Sequence, residues 1–181
     1  MILAFVMMAS MGAAPLYAQI EELILRVDGL ACPFCAFGLE KKIMKLQGVT
    51  SYDVDMKSGK VHIGLAEDAR LEFDKIRVAV KDAGFTLRDI FLRARGKIEK
   101  TKDGFVLVVG GSHEKLLLFE NDAVAKEYHA GDDPERTALS EALAGKLSQY
   151  ASKKTEVQIE GAVHEHGGLP AGLSAEKIEL L

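Results

Sequence analysis

The sequence predicts an α+β chain built as two consecutive units: a β-α-β-β-α-β layer structure, then a small β-rich barrel. Three observations predict it. Between Glu22 and Leu92, runs in which every second residue is apolar are interleaved with runs whose apolar residues fall three or four apart. After Leu92 the rhythm changes to short alternating runs, cut by Asp103-Gly104 and Gly110-Gly111, with one helical stretch among them. The 181 residues, 48% of them hydrophobic, suffice for one medium core or two small ones.

In the first unit, Leu23, Leu25 and Val27 alternate with polar residues and predict a strand over Glu22–Asp28. Leu39, Ile43 and Leu46 then lie at i, i+4, i+7, one face of a helix, with Lys41, Lys42 and Lys45 off that face. Pro33 suits its first turn and Gly48 its stop. Tyr52, Val54 and Met56 alternate, Lys57-Ser58-Gly59-Lys60 turns, and Val61, Ile63 and Leu65 alternate again, which predicts a hairpin. Phe73, Ile76, Val80 and Ala83 mark a second helix ending at Gly84, and Thr86–Leu92 a fourth strand. This is the split βαβ order, with two helices on one face of a four-stranded antiparallel sheet.

In the second unit, Arg93–Lys100, Phe105–Val109 and Lys115–Phe119 read as strands, followed by a loop from Glu120 to Asp133. Asp133-Pro134 resembles a cap and first-turn pair, and Leu139, Leu143, Leu147 and Tyr150 form a helix face. Glu156–Val163 and Glu176–Leu180 supply two more strands around a Gly167-Gly168-Leu169-Pro170 loop. Five strands with a helix after the third fit a small barrel of the OB type, with a β-sandwich fragment as the alternative. The expected division is a leader over 1–18, a first unit over 19–92 and a second over 93–181, with a very short linker near Arg93–Gly96.

Met1 to Ala14 is apolar or small, and Ala13, Ala14 and Ala18 lie near a possible cleavage point, so the start reads as a secretion signal and the mature protein as periplasmic or otherwise exported. No Lys or Arg precedes the apolar run, which leaves an uncleaved anchor or a mis-assigned start as alternatives. No later segment is apolar enough to span a bilayer, which takes about 20 residues. Residues 19–93 carry 12 basic and 12 acidic side chains, and residues 94–181 carry 11 and 15. Neither half has the basic excess that tracking a nucleic acid backbone requires.

Cys32 and Cys35 are the two cysteines. A bridge between residues so close closes almost no loop and stabilises little, so the pair reads as a site. It lies where a strand hands over to a helix. A helix N-terminus leaves N–H groups unpaired and partly positive, which favours the metal-ligating thiolate. Thiolates select soft ions. Two ligands fall short of the four of a structural zinc site, which suits a site that exchanges its metal. Cys-Pro-Phe-Cys is also compatible with thiol–disulfide exchange or redox sensing. The domain is short for an oxidoreductase unit, and after Pro33 the next proline is Pro134.

Gly29-Leu30-Ala31-Cys32-Pro33-Phe34-Cys35, followed by Leu39, Ile43, Gly48-Val49, Val54, Val61 and Asp82-Ala83-Gly84-Phe85, resembles the heavy-metal-associated domain over about residues 20 to 92. That resemblance implies a ferredoxin-like fold and Cys32 and Cys35 as metal ligands. It also implies transfer by ligand exchange with a partner's cysteines, the partner being a metal-transporting membrane protein or another thiol carrier. Leu30 stands where the family usually has Met, Ala31 where Thr or Asp often precedes the first cysteine, and Pro33 is unusual between the two. The missing Asp oxygen favours Cu(I) or Hg(II) over Zn(II), and Phe85 adds no charge to an anionic centre.

Other residues carry less. His164 and His166 share a strand face and could chelate, but no third ligand is evident. His62, His113 and His129 read as surface or turn residues, and Met44 and Met56 as packing. Phe34 and Phe37 flank the cysteine loop, where they could shield an ion, meet a partner or join the core. No phosphate loop, nucleophile elbow or metalloprotease motif appears, so no catalytic residue is assigned.

Overall fold

A computed structural model describes residues 20–66, 69–70, 72–121, 124–125, 139–165 and 170–181. The expected leader, the Asp133-Pro134 pair, His129 and His166 lie outside the described residues.

The chain forms β1 (Ile20–Asp28), α1 (Pro33–Ile43), β2 (Val49–Asp55), β3 (Lys60–Leu65), α2 (Phe73–Asp82), β4 (Thr86–Thr101), β5 (Gly104–Val109), β6 (Lys115–Phe119), α3 (Glu141–Lys153), β7 (Glu156–His164), β8 (Gly172–Ser174) and β9 (Lys177–Leu180). The first unit follows the expected order. Its strands run β2-β3-β1-β4, all antiparallel, with Leu23 opposite both Ile63 and Leu92. Leu39 and Ile43 of α1 and Ile76 and Val80 of α2 bury against Leu23, Leu25, Val61 and Ile63. The α-period and β-period stripes read from the sequence therefore meet in one layer contact.

The expected linker near Arg93–Gly96 is absent. Those residues lie inside β4, one 16-residue strand that continues from the first unit into the second. Ile90, Leu92, Ala94 and Ile98 are all buried in the same period, so one inward face runs through both units and a single apolar cluster spans them. The first half of β4 pairs with β1 and the second half with β5, while β7 takes its other edge over Phe91–Lys97. An edge strand left open would expose unpaired backbone groups to another chain; β7 covers part of this one.

Strands β4, β5, β6, β8 and β7 pair in turn and close through β4–β7, giving a five-stranded barrel. Closure overturns the sandwich alternative. The fifth barrel strand is the short β8, parallel to β6, which the sequence reading missed. The expected final strand is present as β9, but it extends the edge of β7 beside β8. Helix α3 packs against β4 through Leu147 and Tyr150. Its cap is Ser140, whose Oγ accepts the N–H of Leu143 at 3.4 Å, so Leu139 precedes the helix rather than lying on its face. Among the described residues no helix is long and apolar enough to cross a membrane.

Candidate metal centre

The two cysteines stand at the end of β1 and in the first turn of α1. Gly29 turns the chain out of the sheet at φ +92°, a conformation side chains rarely adopt, and the ring of Phe85 sits beside it. Leu30 is buried and anchors the loop from below, while Ala31 is exposed. Cys32 has extended backbone angles (φ −143°, ψ 144°) and is the N-cap of α1, with Pro33 supplying the fixed φ of the first helical residue. The backbone N–H of Cys35 donates to Cys32 Sγ at 3.2 Å. The Cα atoms are 5.3 Å apart and the sulfurs form a disulfide in this structure; the reduced pair is the form able to ligate a metal.

The N-terminal end of α1 lies at the cysteine pair. The first turn of α1 holds no acidic residue, so the positive end of the helix is not offset there. Behind the loop, Ala36 is buried and its carbonyl accepts from the Tyr52 hydroxyl at 3.4 Å, tying the first turn to β2. Burial, with smaller contributions from Glu40 and Asp53, pushes the Tyr52 phenol up to about 12. At the base of the loop Arg88 pairs with Asp28. Among the described residues no group of three or more His, Cys, Asp or Glu side chains converges on a point.

Other sequence expectations divide. His113 occupies a turn with φ +57°, as expected. His62 lies on β3 with Nδ1 2.7 Å from Glu22 Oε1, a hydrogen-bond contact on the sheet face opposite the helices. His164 ends β7, and its partner in the two-histidine reading, His166, lies outside the described residues. Met56 packs at the core margin, but Met44 caps the end of α1 and is 41% exposed, because the helix stops before another turn can cover it. Phe34 is 89% exposed and Phe37 53%, so neither joins the core. The sequence reading also did not single out a ladder across both units, in which Arg93 bridges Glu22 (3.2 Å) and Glu160 (2.8 Å). Opposite charges at alternating strand positions are a weak signal for it.

Residues 24–86 match the heavy-metal-associated domain family. The chain is 31% identical over 62 residues to the copper chaperone CopZ of Staphylococcus aureus, covering 34% of this chain and 90% of that protein. The chain belongs to the heavy-metal-associated domain family. CopZ of Staphylococcus haemolyticus is 29% identical over 65 residues, 36% of this chain and 94% of that protein. A solved structure titled CopZ metallochaperone is 28% identical, with a TM-score of 0.35, covering 38% of this chain and all of that one. The heavy-metal-associated match ends at Thr86, the first residue of β4, so the barrel lies beyond it.

Proposed function

We propose that this chain is an exported carrier of a soft metal ion, held by the thiolates of Cys32 and Cys35 and passed to the cysteines of a partner. The observation that carries the proposal is the placement of both sulfurs in the first turn of α1, on an exposed loop, inside a heavy-metal-associated domain. Two thiolates with no oxygen ligand at Ala31 suit Cu(I) first, Hg(II) next and Zn(II) least. The names of the relatives, copper chaperones, support copper. An open two-ligand site lets a partner thiolate bind before one of the chain's own leaves, which is how a metal moves without being released to water.

The partner is a metal-transporting membrane protein or a second thiol carrier, and the compartment is the periplasm or its equivalent, as the apolar leader suggests. The second unit fits an OB-type barrel: five strands, closed, with its helix between the third and fourth. Its place in the chain suits a docking or anchoring role that leaves the metal loop free. Thr86 pairs with Asp28 beside the loop, whereas the barrel joins β4 from Phe91 through β7 and from Gly96 through β5. Five residues of strand, about 17 Å, separate the loop from the nearer of these.

The test is a transfer assay. Chain loaded with Cu(I) under anaerobic conditions is mixed with a metal-free Cys-x-x-Cys acceptor domain and separated after seconds. Copper appearing on the acceptor faster than it dissociates into a chelator supports the carrier. Slow transfer, with turnover of a protein disulfide by the same chain, supports a thiol–disulfide exchange role for the pair instead.

A further inference from the structure

Helix α1 is apolar on two opposite faces. Ala36, Leu39 and Ile43 fill the core. Half a turn round, Phe34, Phe37 and Met44 stand in solvent, 89%, 53% and 41% exposed. Such residues on a small domain ordinarily turn inward, and a contiguous exposed group marks a contact surface. Lys41 and Lys45 share this outward face and Lys42 flanks it. The Lys41 ammonium lies 4.4 Å from the Phe37 ring centroid, a cation–π contact on the exposed face. The one acid on α1, Glu40, faces Tyr52, away from the lysines.

We infer that this outward face of α1 docks reversibly on an anionic lipid surface. Aromatic and thioether side chains interleaved with lysines on one helical face are the chemistry of an interfacial helix: rings enter the headgroup boundary while ammonium groups stay with the lipid phosphates. Phe34 protrudes rather than lining a groove, and a deformable headgroup layer receives a protruding ring without a pre-shaped pocket. Lys42 and Lys45 share a surface hollow with Asp74 and Asp82 of α2, so the three lysines outnumber the two carboxylates beside them and the face stays positive on a chain whose net charge is −4. The barrel reaches the helix layer at α2, where Arg77 pairs with Glu165 after β7, and leaves Phe34, Phe37 and Met44 of α1 exposed. Docking would hold the cysteine loop at the membrane plane, without any segment crossing it.

The chain has no tryptophan, so Phe34→Trp installs a single reporter on the face in question. The reduced, metal-free full chain is mixed with phosphatidylcholine vesicles containing about a third phosphatidylglycerol, and with phosphatidylcholine alone. Circular dichroism confirms the fold. On the anionic vesicles the emission is expected to move to the blue and fall at least about twofold with lipids brominated along the acyl chain. Adding Lys41→Glu and Lys45→Glu is expected to abolish both effects. Water-like emission on anionic vesicles overturns the inference and leaves an acidic protein as the occupant. So does a shift that survives charge reversal or is equal on neutral vesicles. No metal is involved, so either result leaves the ligand role of Cys32 and Cys35 to be judged separately.

Discussion

Cys35 donates its backbone N–H to the Sγ of Cys32 at 3.2 Å, so one sulfur of the pair caps the helix that carries the other. Ligand and cap are the same atom. Under reducing conditions Cys32→Ser keeps a cap and should match or exceed the parent's stability, whereas Cys32→Ala should lose about 0.5–1 kcal/mol. Urea denaturation of the three reduced chains measures this. Equal loss in both variants would mean that the sulfur does not cap.

Gly29 sits at φ +92° with the Phe85 ring 3.5 Å from where a Cβ would stand, an ordinary contact. The cost of Gly29→Ala is therefore backbone strain, about 1–2 kcal/mol, rather than a clash. Metal affinity should fall along with stability, because the turn aims Cys32. Denaturation and competition titration read the two effects in one variant.

The inward face of β4 joins the two units. A Cβ on Gly96 would stand 2.3 Å from the Val108 carbonyl oxygen, within the β4–β5 pairing. Gly96→Ala should cost about 2–4 kcal/mol. Both units should then lose structure in a single transition at lower denaturant, since their apolar cluster is continuous. A flexible linker at this position would instead make the substitution harmless. Two separate transitions, only one of them shifted, would show that the shared strand does not couple the units.

Tyr52 titrates at about 12 in the fold against an ordinary value near 10. Between those values the unfolded chain has released the phenolic proton while the folded chain keeps it, so stability falls as pH rises from about 10 to about 12. Below pH 10 the phenol adds no pH dependence. Tyr52→Phe should flatten that alkaline slope, measured by urea midpoints across the range. An unchanged slope would place its origin elsewhere.

Much of the first unit was legible because its strands and helices carry buried stripes of clear period and because Gly29, Gly48, Gly59 and Gly84 turn the chain at positive φ. Leu23, Leu25 and Val27 alternate on β1, and Leu39 and Ile43 stack on α1. The cysteine loop was legible for the same reason: Pro33 fixes the first helical residue and so places Cys32 at the cap. The continuity of β4 was hidden, since alternation from Thr86 to Thr101 is equally compatible with one long strand or two short ones, and Gly96 resembles a break. The close approach of β5 that requires a glycine is a tertiary fact. Strand β8 spans three residues, too few to show a period, and its place is set by β6 and β7 on either side. The exposure of Phe34 and Met44 could not be read from composition, because α1 has apolar residues on both faces and only the packing decides which face is covered.

The most direct test of the metal-carrier account is an anaerobic titration of the reduced chain with Cu(I), Hg(II) and Zn(II) against a competing chelator, beside the Cys32→Ser/Cys35→Ser variant. The account predicts one tightly held soft ion per chain, with Cu(I) and Hg(II) well ahead of Zn(II) and binding lost in the variant. No tight binding, or binding that persists without the two sulfurs, would contradict it.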